Sequence, residues 1–315
     1  MRDLLRQLFR HGSGFVGLVI VFVAVVAGLF CGTLSPFSPT YQYRGQEKLP
    51  PGSAITADEA RQASYADNGQ RSSGTFIWGT DSSGRDVYSR VLHGARISLL
   101  VGVVATIINV LIGLLIGTVS GYFGGWTDTL LMRLTDTFFA FPGVLLAIII
   151  LATLNNDEVK SVLGSISGSI DPGIWGLFIA LGLTGWTGIA RVIRGTVISL
   201  REKEFIEAAR AVGCSNSRII LLHIIPNCMA PLTVLATMQV AYNILSEAGL
   251  SFLGLGIQPP NASWGGMLST AKNYFYDMPW WGIFPGLALA LTVLGFNLLG
   301  DGLRDILDPR MKVRT

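Results

Sequence analysis

The segment Glu204–Asn227, EFIEAARAVGCSNSRIILLHIIPN, carries acids, bases, serines and a central glycine in a chain whose neighbouring stretches are apolar enough for lipid. Its first half, with EKEFIEAARAV, has a helix former at nearly every position, and Gly213 stops it by tolerating a left-handed backbone. Ser215 can cap a second short helix, which the sequence predicts to end at Pro226. The product is an elbow of two helices. On the first arm Glu204, Ala208 and Ala211, or Glu207 and Ala211, share a face by helical spacing, and the alanines keep that face low enough to enter a groove. Without further information an amphipathic helix resting on the lipid surface explains the same residues equally well.

On either side of the elbow lie charge-free intervals, Pro172–Ala190 and Cys228–Ser246, each long enough to cross a bilayer. Three others lie within Ile97–Phe123, Thr137–Asn155 and Met278–Gly300, and Phe15–Leu34 adds a sixth. The basic start before Phe15 resembles a signal peptide. Its uncharged run would span about 30 Å and has no small-residue cleavage site, so a retained span is predicted. Of the 315 residues 50% are hydrophobic and 14% charged, the balance of a polytopic membrane protein. The fold class expected is all-α with six transmembrane helices. The boundaries follow: a terminus over 1–13, the first span over 14–34, an external loop with an interfacial helix over 35–96, a five-helix core over 97–303 containing the 191–227 loop, and a tail over 304–315.

Orientation is read from Lys and Arg, which gather on the cytoplasmic side of short loops. Arg2, Arg6 and Arg10 precede the first span, six bases occupy 191–227, and Arg304, Arg310, Lys312 and Arg314 follow the last. The 156–171 and 251–277 loops hold one base each, Lys160 and Lys272. Both termini and the elbow are therefore predicted inside. The segment 35–96 carries seven bases and six acids, a mixture that long external loops tolerate. It is rich in Pro, Gly and Ser and predicted irregular, with one short helix at TADEARQA, where Thr56 caps and Glu59 reaches back.

Other features have plain structural readings. Gly113, Gly117 and Gly121 leave one helix face bare for a close neighbour. The Asp81, Arg85, Asp86 and Arg90 set, after turns at Gly79 and Gly84, reads as a salt-bridged helix on the outer interface. Asp136 is assigned to Arg133, and Asp301, Arg304 and Asp305 to surface pairs rather than a proton relay. Trp175, Trp186, Trp264, Trp280 and Trp281 read as an aromatic belt at span ends. Glu247, with Asn243 one turn earlier, is costly near a span end, so the pair reads equally as translocation-pathway residues or as an interfacial acid and its neighbour.

Several classes are excluded or disfavoured. The net charge of +3 is spread without interleaved aromatics, which gives nucleic acid no footprint. Cys31, Cys214 and Cys228 have neither disulfide-framework nor metal-site spacing, and His11, His93 and His223 are scattered, so no metal is expected. No GxxxxGK[ST] loop is present, so ATP hydrolysis would belong to another chain. No internal repeat is visible, which weighs against a self-contained secondary transporter.

The span around Glu207-Ala208-Ala209, then Gly213, His223 and Pro226, resembles the EAA loop of ABC importer permeases. The blocks GTDSSGRDVYSRVLHGARISLLVG (Gly79–Gly102), SGYFGGWTDTLLMRLTDTFFAFP (Ser120–Pro142), EAGLSFLGLGIQPPNASWGGML (Glu247–Leu268) and FNLLGDGLRDILDPR (Phe296–Arg310) are similar to the second permease subunit of dipeptide and oligopeptide importers. The resemblance covers nearly everything after residue 75 and the first span; the 40–74 stretch is longer and more polar than that pattern. It implies a type I ABC importer permease fold in a prokaryotic cytoplasmic membrane. It also implies a second permease, two ATPase subunits that bind ATP and Mg, and an external solute-binding protein as partners. Glu204, Glu207, Ala208, Ala209, Gly213, His223 and Pro226 would carry the coupling. Import of nickel chelates, glutathione or another small solute fits the same architecture; an ATP-independent channel or secondary transporter is the rival class, and a non-transporting scaffold a third possibility.

Overall fold

A computed structural model describes residues 7–9, 11–62, 73–154, 156 and 172–307. Arg2, Arg6, Arg10, Lys160, Arg310, Lys312 and Arg314 lie outside the described residues. Among the described residues the regular structure is helical apart from one two-stranded ribbon. Helix α1 covers Gly12–Leu29 and a short α2 Cys31–Leu34. Strands β1 (Ser53–Ile55) and β2 (Gly74–Phe76) pair antiparallel, with α3 (Ala57–Gln62) after β1. The membrane core follows as α4 (Val87–Phe123), α5 (Gly125–Ala140), α6 (Gly143–Leu154), α7 (Pro172–Thr184) and α8 (Trp186–Arg201). Helices α9 (Glu204–Ala211) and α10 (Asn216–Ile219), a π turn (Ile220–Ile224), α11 (Ile225–Phe252), α12 (Trp264–Ala271) and α13 (Pro279–Leu307) complete it.

Among the described residues five segments are long and apolar enough to cross a membrane: Gly12–Leu29, Val87–Phe123, Gly173–Arg201, Asn216–Phe252 and Pro279–Leu307. The pair α5 and α6 makes a sixth if counted as one span, but it bends by 89°. The span expected within 137–155 therefore holds a break, between Ala140 and Gly143. Pro142 has no N–H and disfavours helical backbone at the residue before it, and Phe141 is accordingly extended at φ −82°, ψ 132°.

Close helix contact follows the glycines. A Cβ on Gly117 would lie 2.5 Å from the Ala190 carbonyl oxygen, one on Gly113 2.8 Å from Ile189, and one on Gly121 2.8 Å from the Arg194 carbonyl. Helix α8 lies in the groove those three positions open along α4, because no side chain holds the backbones apart.

Outside the bundle, Phe37, Tyr43, Ile55, Ala60 and Phe76 form a separate core under the ribbon. Thr56 and Glu59 close the expected reciprocal cap: the carboxylate accepts from the Thr56 amide at 2.9 Å, and the Glu59 amide donates to the Thr56 hydroxyl at 3.3 Å. Burial pushes the Tyr43 phenol up to about 12, so it stays protonated at any physiological pH.

The charged set before α4 is not the surface helix predicted. Asp81 sits in a turn between Gly79 (φ 74°) and Gly84 (φ 73°), and its carboxylate takes Arg85 at 2.7 Å inside the protein. Asp86 caps α4 through the Ser89 amide, and buried Arg90 donates to the Pro39 carbonyl at 2.8 Å. These charges are internal because they hold the irregular 35–50 segment onto the start of α4; a surface pair could not do so.

The aromatic belt is also corrected. Trp186, Trp264 and Trp281 are buried, and the Trp264 indole donates to the Val91 carbonyl at 3.0 Å. An indole this large, placed beside Gly94 and Gly265, fills the joint between α12, α4 and α11 instead of the lipid boundary.

Candidate functional site

The elbow forms from the residues that predict it. Gly213 has φ 83°, and a Cβ there would meet nothing within 4 Å, so only the backbone conformation demands glycine. Its amide returns to the Arg210 carbonyl at 2.9 Å, and the Cys214 amide to Ala209 at 3.0 Å, which closes α9. The Ser215 hydroxyl accepts from the Arg218 amide and opens α10.

Pro226 does not end the second arm, contrary to expectation. The backbone runs unbroken from Asn216 to Phe252, passing through the π turn before Pro226 enters the first turn of α11. The π turn already shifts the backbone ladder, with the Ile225 amide donating to the Ile220 carbonyl, and this wider turn accommodates both the missing N–H and the ring. The second arm is thus one end of a candidate transmembrane span, Asn216–Phe252.

Ile206, Ile219 and Ile224 root the elbow, all fully buried with Ile193 and Val197 of α8, Tyr122 of α4 and Cys228 and Leu232 of α11. Polar contacts pin the same spot. The Tyr122 hydroxyl donates to the Asn216 side chain at 2.8 Å, Arg201 donates to the Tyr122 carbonyl at 3.2 Å, and the Arg210 guanidinium lies 5.5 Å over the Tyr122 ring. Arg194 grips Asp128 of α5 through two bonds of 2.6 Å, and Ser120 also donates to that carboxylate. Helices α4, α5 and α8 therefore meet at the root of the elbow.

The outward face is open. Glu204, Glu207, Ala208, Ala211 and Gly213 are exposed, and Val212 at the tip is 85% exposed, while Ala209 is half-buried on the rooted side. His223 is half-buried beside Phe205, with ring centroids 6.5 Å apart, and Asn227 donates to its carbonyl at 2.6 Å. Pro226 is exposed on the second arm. The structure thus gathers the EAA residues and Gly213 on the first arm and places His223 and Pro226 on the second.

Asn243 and Glu247 lie elsewhere, deep between α4 and α11, and neither faces an opening of this chain. Glu247 is fully buried, accepting from Ser98 at 2.9 Å and from Ser251 at 2.7 Å. Asn243 donates to Thr106 and to Asn109, both at 3.0 Å. Because both acceptor oxygens of Glu247 meet hydroxyls, Glu247→Gln should keep the site, whereas Glu247→Leu strands two hydroxyls at about 1–3 kcal/mol each. Thermal unfolding of the purified protein checks this; equal midpoints for the two variants would disprove it.

Two pairings differ from expectation. Asp136 bonds Arg191 of α8 at 2.8 Å instead of Arg133, and Asp305 lies 3.2 Å from His11. Both tie helices distant in sequence, a preference that spacing along one helix cannot reveal. Tyr122 and Asp128 lie in the Ser120–Pro142 block, Asn216 in the elbow and Arg194 in the 191–227 loop, but nothing in the sequence pairs Tyr122 with Asn216 or Asp128 with Arg194. Among the described residues no three His, Cys, Asp or Glu side chains gather as a metal would need.

Comparison with known proteins places this geometry. Residues 109–313 match the model of the binding-protein-dependent transport system inner membrane component, and residues 1–51 match the N-terminal transmembrane domain of oligopeptide transport permease C. A glutathione transport system permease protein of Escherichia coli O6:K15:H31 is 47% identical over 98% of this chain and 89% of its own length. A putative peptide transport system permease protein of Brucella abortus is 37% identical over 98% of this chain and 91% of its own. A dipeptide transport system permease protein of Alkalihalophilus pseudofirmus is 37% identical over 99% and 90%. Such proteins are transport subunits of the bacterial inner membrane, not enzymes. With matches at both ends of the chain and relatives along almost all of it, the chain belongs to the inner-membrane permease family of ABC importers, as a subunit of the second-permease type of the peptide and oligopeptide systems.

Proposed function

We propose that this permease supplies half of a translocation path for peptide-sized solutes and takes its driving force through the elbow at Glu204–Asn227. In this reading the exposed face of α9 sits in a cleft of an ATPase subunit, which holds ATP and Mg, and a related second permease completes the path. An external solute-binding protein delivers the cargo. Both termini lie on the elbow's side of the membrane, the cytoplasm. The observation that carries the proposal is Val212, an apolar residue left 85% exposed at the tip of an elbow whose root is fully buried. An apolar tip on a fixed base is suited to a groove in a partner. Glu204, Glu207, Ala208 and Gly213 shape that tip, Ala209 seats it, and His223 and Pro226 join it to α11. Asn243 and Glu247 serve as internal ties of α11 instead of touching the solute.

A second reading concerns the cargo. The glutathione permease relative is 47% identical and the two peptide permease relatives 37%, which favours glutathione, itself a small peptide, over ordinary dipeptides. Reconstitution of the full complex in vesicles, with labelled dipeptide and labelled glutathione supplied on the binding-protein side, tests both readings. ATP-dependent uptake of either solute is expected, with the preferred one competing out the other. Uptake of neither, or uptake independent of ATP, would overturn the proposal.

A further inference from the structure

A chain of buried amides crosses the bundle where the α7–α8 span is interrupted. Helix α7 ends at Thr184 and α8 begins at Trp186; across the interruption the Gly185 amide still donates to the Leu181 carbonyl, at a long 3.3 Å, while the Gly182 carbonyl faces the side chains of neighbouring helices. Asn109 of α4, fully buried, takes both carbonyls: its amide nitrogen donates to the Leu181 carbonyl at 3.0 Å and to Gly182 at 2.6 Å. Its oxygen accepts from Asn243 of α11 at 3.0 Å, and Gln239 donates to the Asn243 oxygen at 3.2 Å. The break is pressed onto these groups, since a Cβ on Gly185 would lie 2.5 Å from the Gln239 amide nitrogen and 2.7 Å from the Asn109 oxygen.

The position of this junction gives it a mechanical meaning. From Gly185 the helix α8 runs about 24 Å to the elbow, and from the elbow α11 runs about 27 Å back to Asn243. The elbow, α8, α11 and the amide junction therefore make a closed frame with arms of similar length. At the elbow end α8 and α11 meet each other through apolar side chains, and the polar contacts there, Arg194–Asp128 and Tyr122–Asn216, run to α5 and α4 instead. At the far end the frame is held by hydrogen bonds of side-chain amides, and breaking them in an apolar interior strands polar groups.

We propose that Asn109 and Asn243 are positioning residues for transport: with the break at Gly185 they form the fulcrum of this frame, so that a push on the elbow tilts α8 and α11 together and does not splay them. The inference rests on the ATP-coupled reading above. If wild-type complex shows no ATP-driven uptake, that reading fails; the fulcrum is judged against a wild type that does transport.

Two measurements test it on the full complex in vesicles. The variant Asn109→Leu/Asn243→Leu fills the junction with apolar groups and removes both partners of the Asn109–Asn243 bond together, leaving neither of those two amides buried without the other. It should assemble, hydrolyse ATP at near the wild-type rate, and import about ten-fold less solute per ATP. Wild-type solute per ATP from the assembled double variant would overturn the proposal. The second measurement leaves the amides intact. Spin labels at the exposed positions Val192 on α8 and Met229 on α11 should keep the same separation in ATP-free and ATP-trapped complexes, while their distances to a label at Val144 on α6 change. A changed separation between Val192 and Met229 would overturn the fulcrum whatever the double variant does.

Discussion

Gly117→Leu is expected to abolish recovery of folded permease. Even the first added carbon would sit 2.5 Å from the Ala190 carbonyl oxygen, well inside contact distance, and the obstacle is backbone that cannot rotate away. Relief requires α4 and α8 to separate, which also opens the contacts at Gly113 and Gly121. Inserting extra carbons into a packed interior costs about 1–3 kcal/mol, and forcing apart two backbones along about two turns should exceed that range. The check is the yield of monodisperse protein after detergent extraction and its unfolding midpoint. Gly188→Leu on α8 is the control, because a Cβ there meets nothing within 4 Å. If Gly117→Leu purified and unfolded like wild type, the bare-face account of the α4–α8 contact would be wrong.

The second large effect concerns transport, not folding. Glu207→Arg combined with Val212→Asp reverses charge and removes the apolar tip on the open face of the elbow, while Ile206, Ile219 and Ile224 remain buried beneath. Stability of the isolated subunit should therefore be unchanged. Residues at the centre of a docking face typically cost about 2 kcal/mol or more when altered, so ATP-driven uptake should fall by about thirty-fold or more. Uptake assays on the reconstituted complex, beside a thermal scan of the subunit, separate the two outcomes. Full-rate uptake by this variant would show that the elbow does not engage the motor.

Pro226 illustrates where local rules reach their limit. From sequence it is a helix stop. In the structure the chain passes straight through it, because the π turn before it has already shifted the backbone ladder and accommodates both the missing N–H and the ring. Pro142 contains the same chemistry and does break its span, since Phe141 cannot remain helical ahead of it and no neighbouring turn absorbs the change. The elbow itself was legible: Gly213 and Ser215 act within a few residues, and their effects do not depend on what packs nearby. Its anchorage was not. Tyr122 and Asn216 are 94 positions apart, and Arg194 and Asp128 are 66.

The amino-acid order alone determined the membrane class, the locations of the apolar helices, the elbow between two of them and the glycine face of α4. Each follows from solvent preference or backbone freedom, which operate over one helix at most. Tertiary structure alone decided that Asp81, Arg85 and Arg90 are internal, that Trp186, Trp264 and Trp281 are core, that Asp136 pairs with Arg191, and that Asn109 and Asn243 join three spans. A polar or amphipathic side chain buried in a bundle takes whichever partner the packing of other helices brings within about 3 Å, and that distance is a property of the assembled chain.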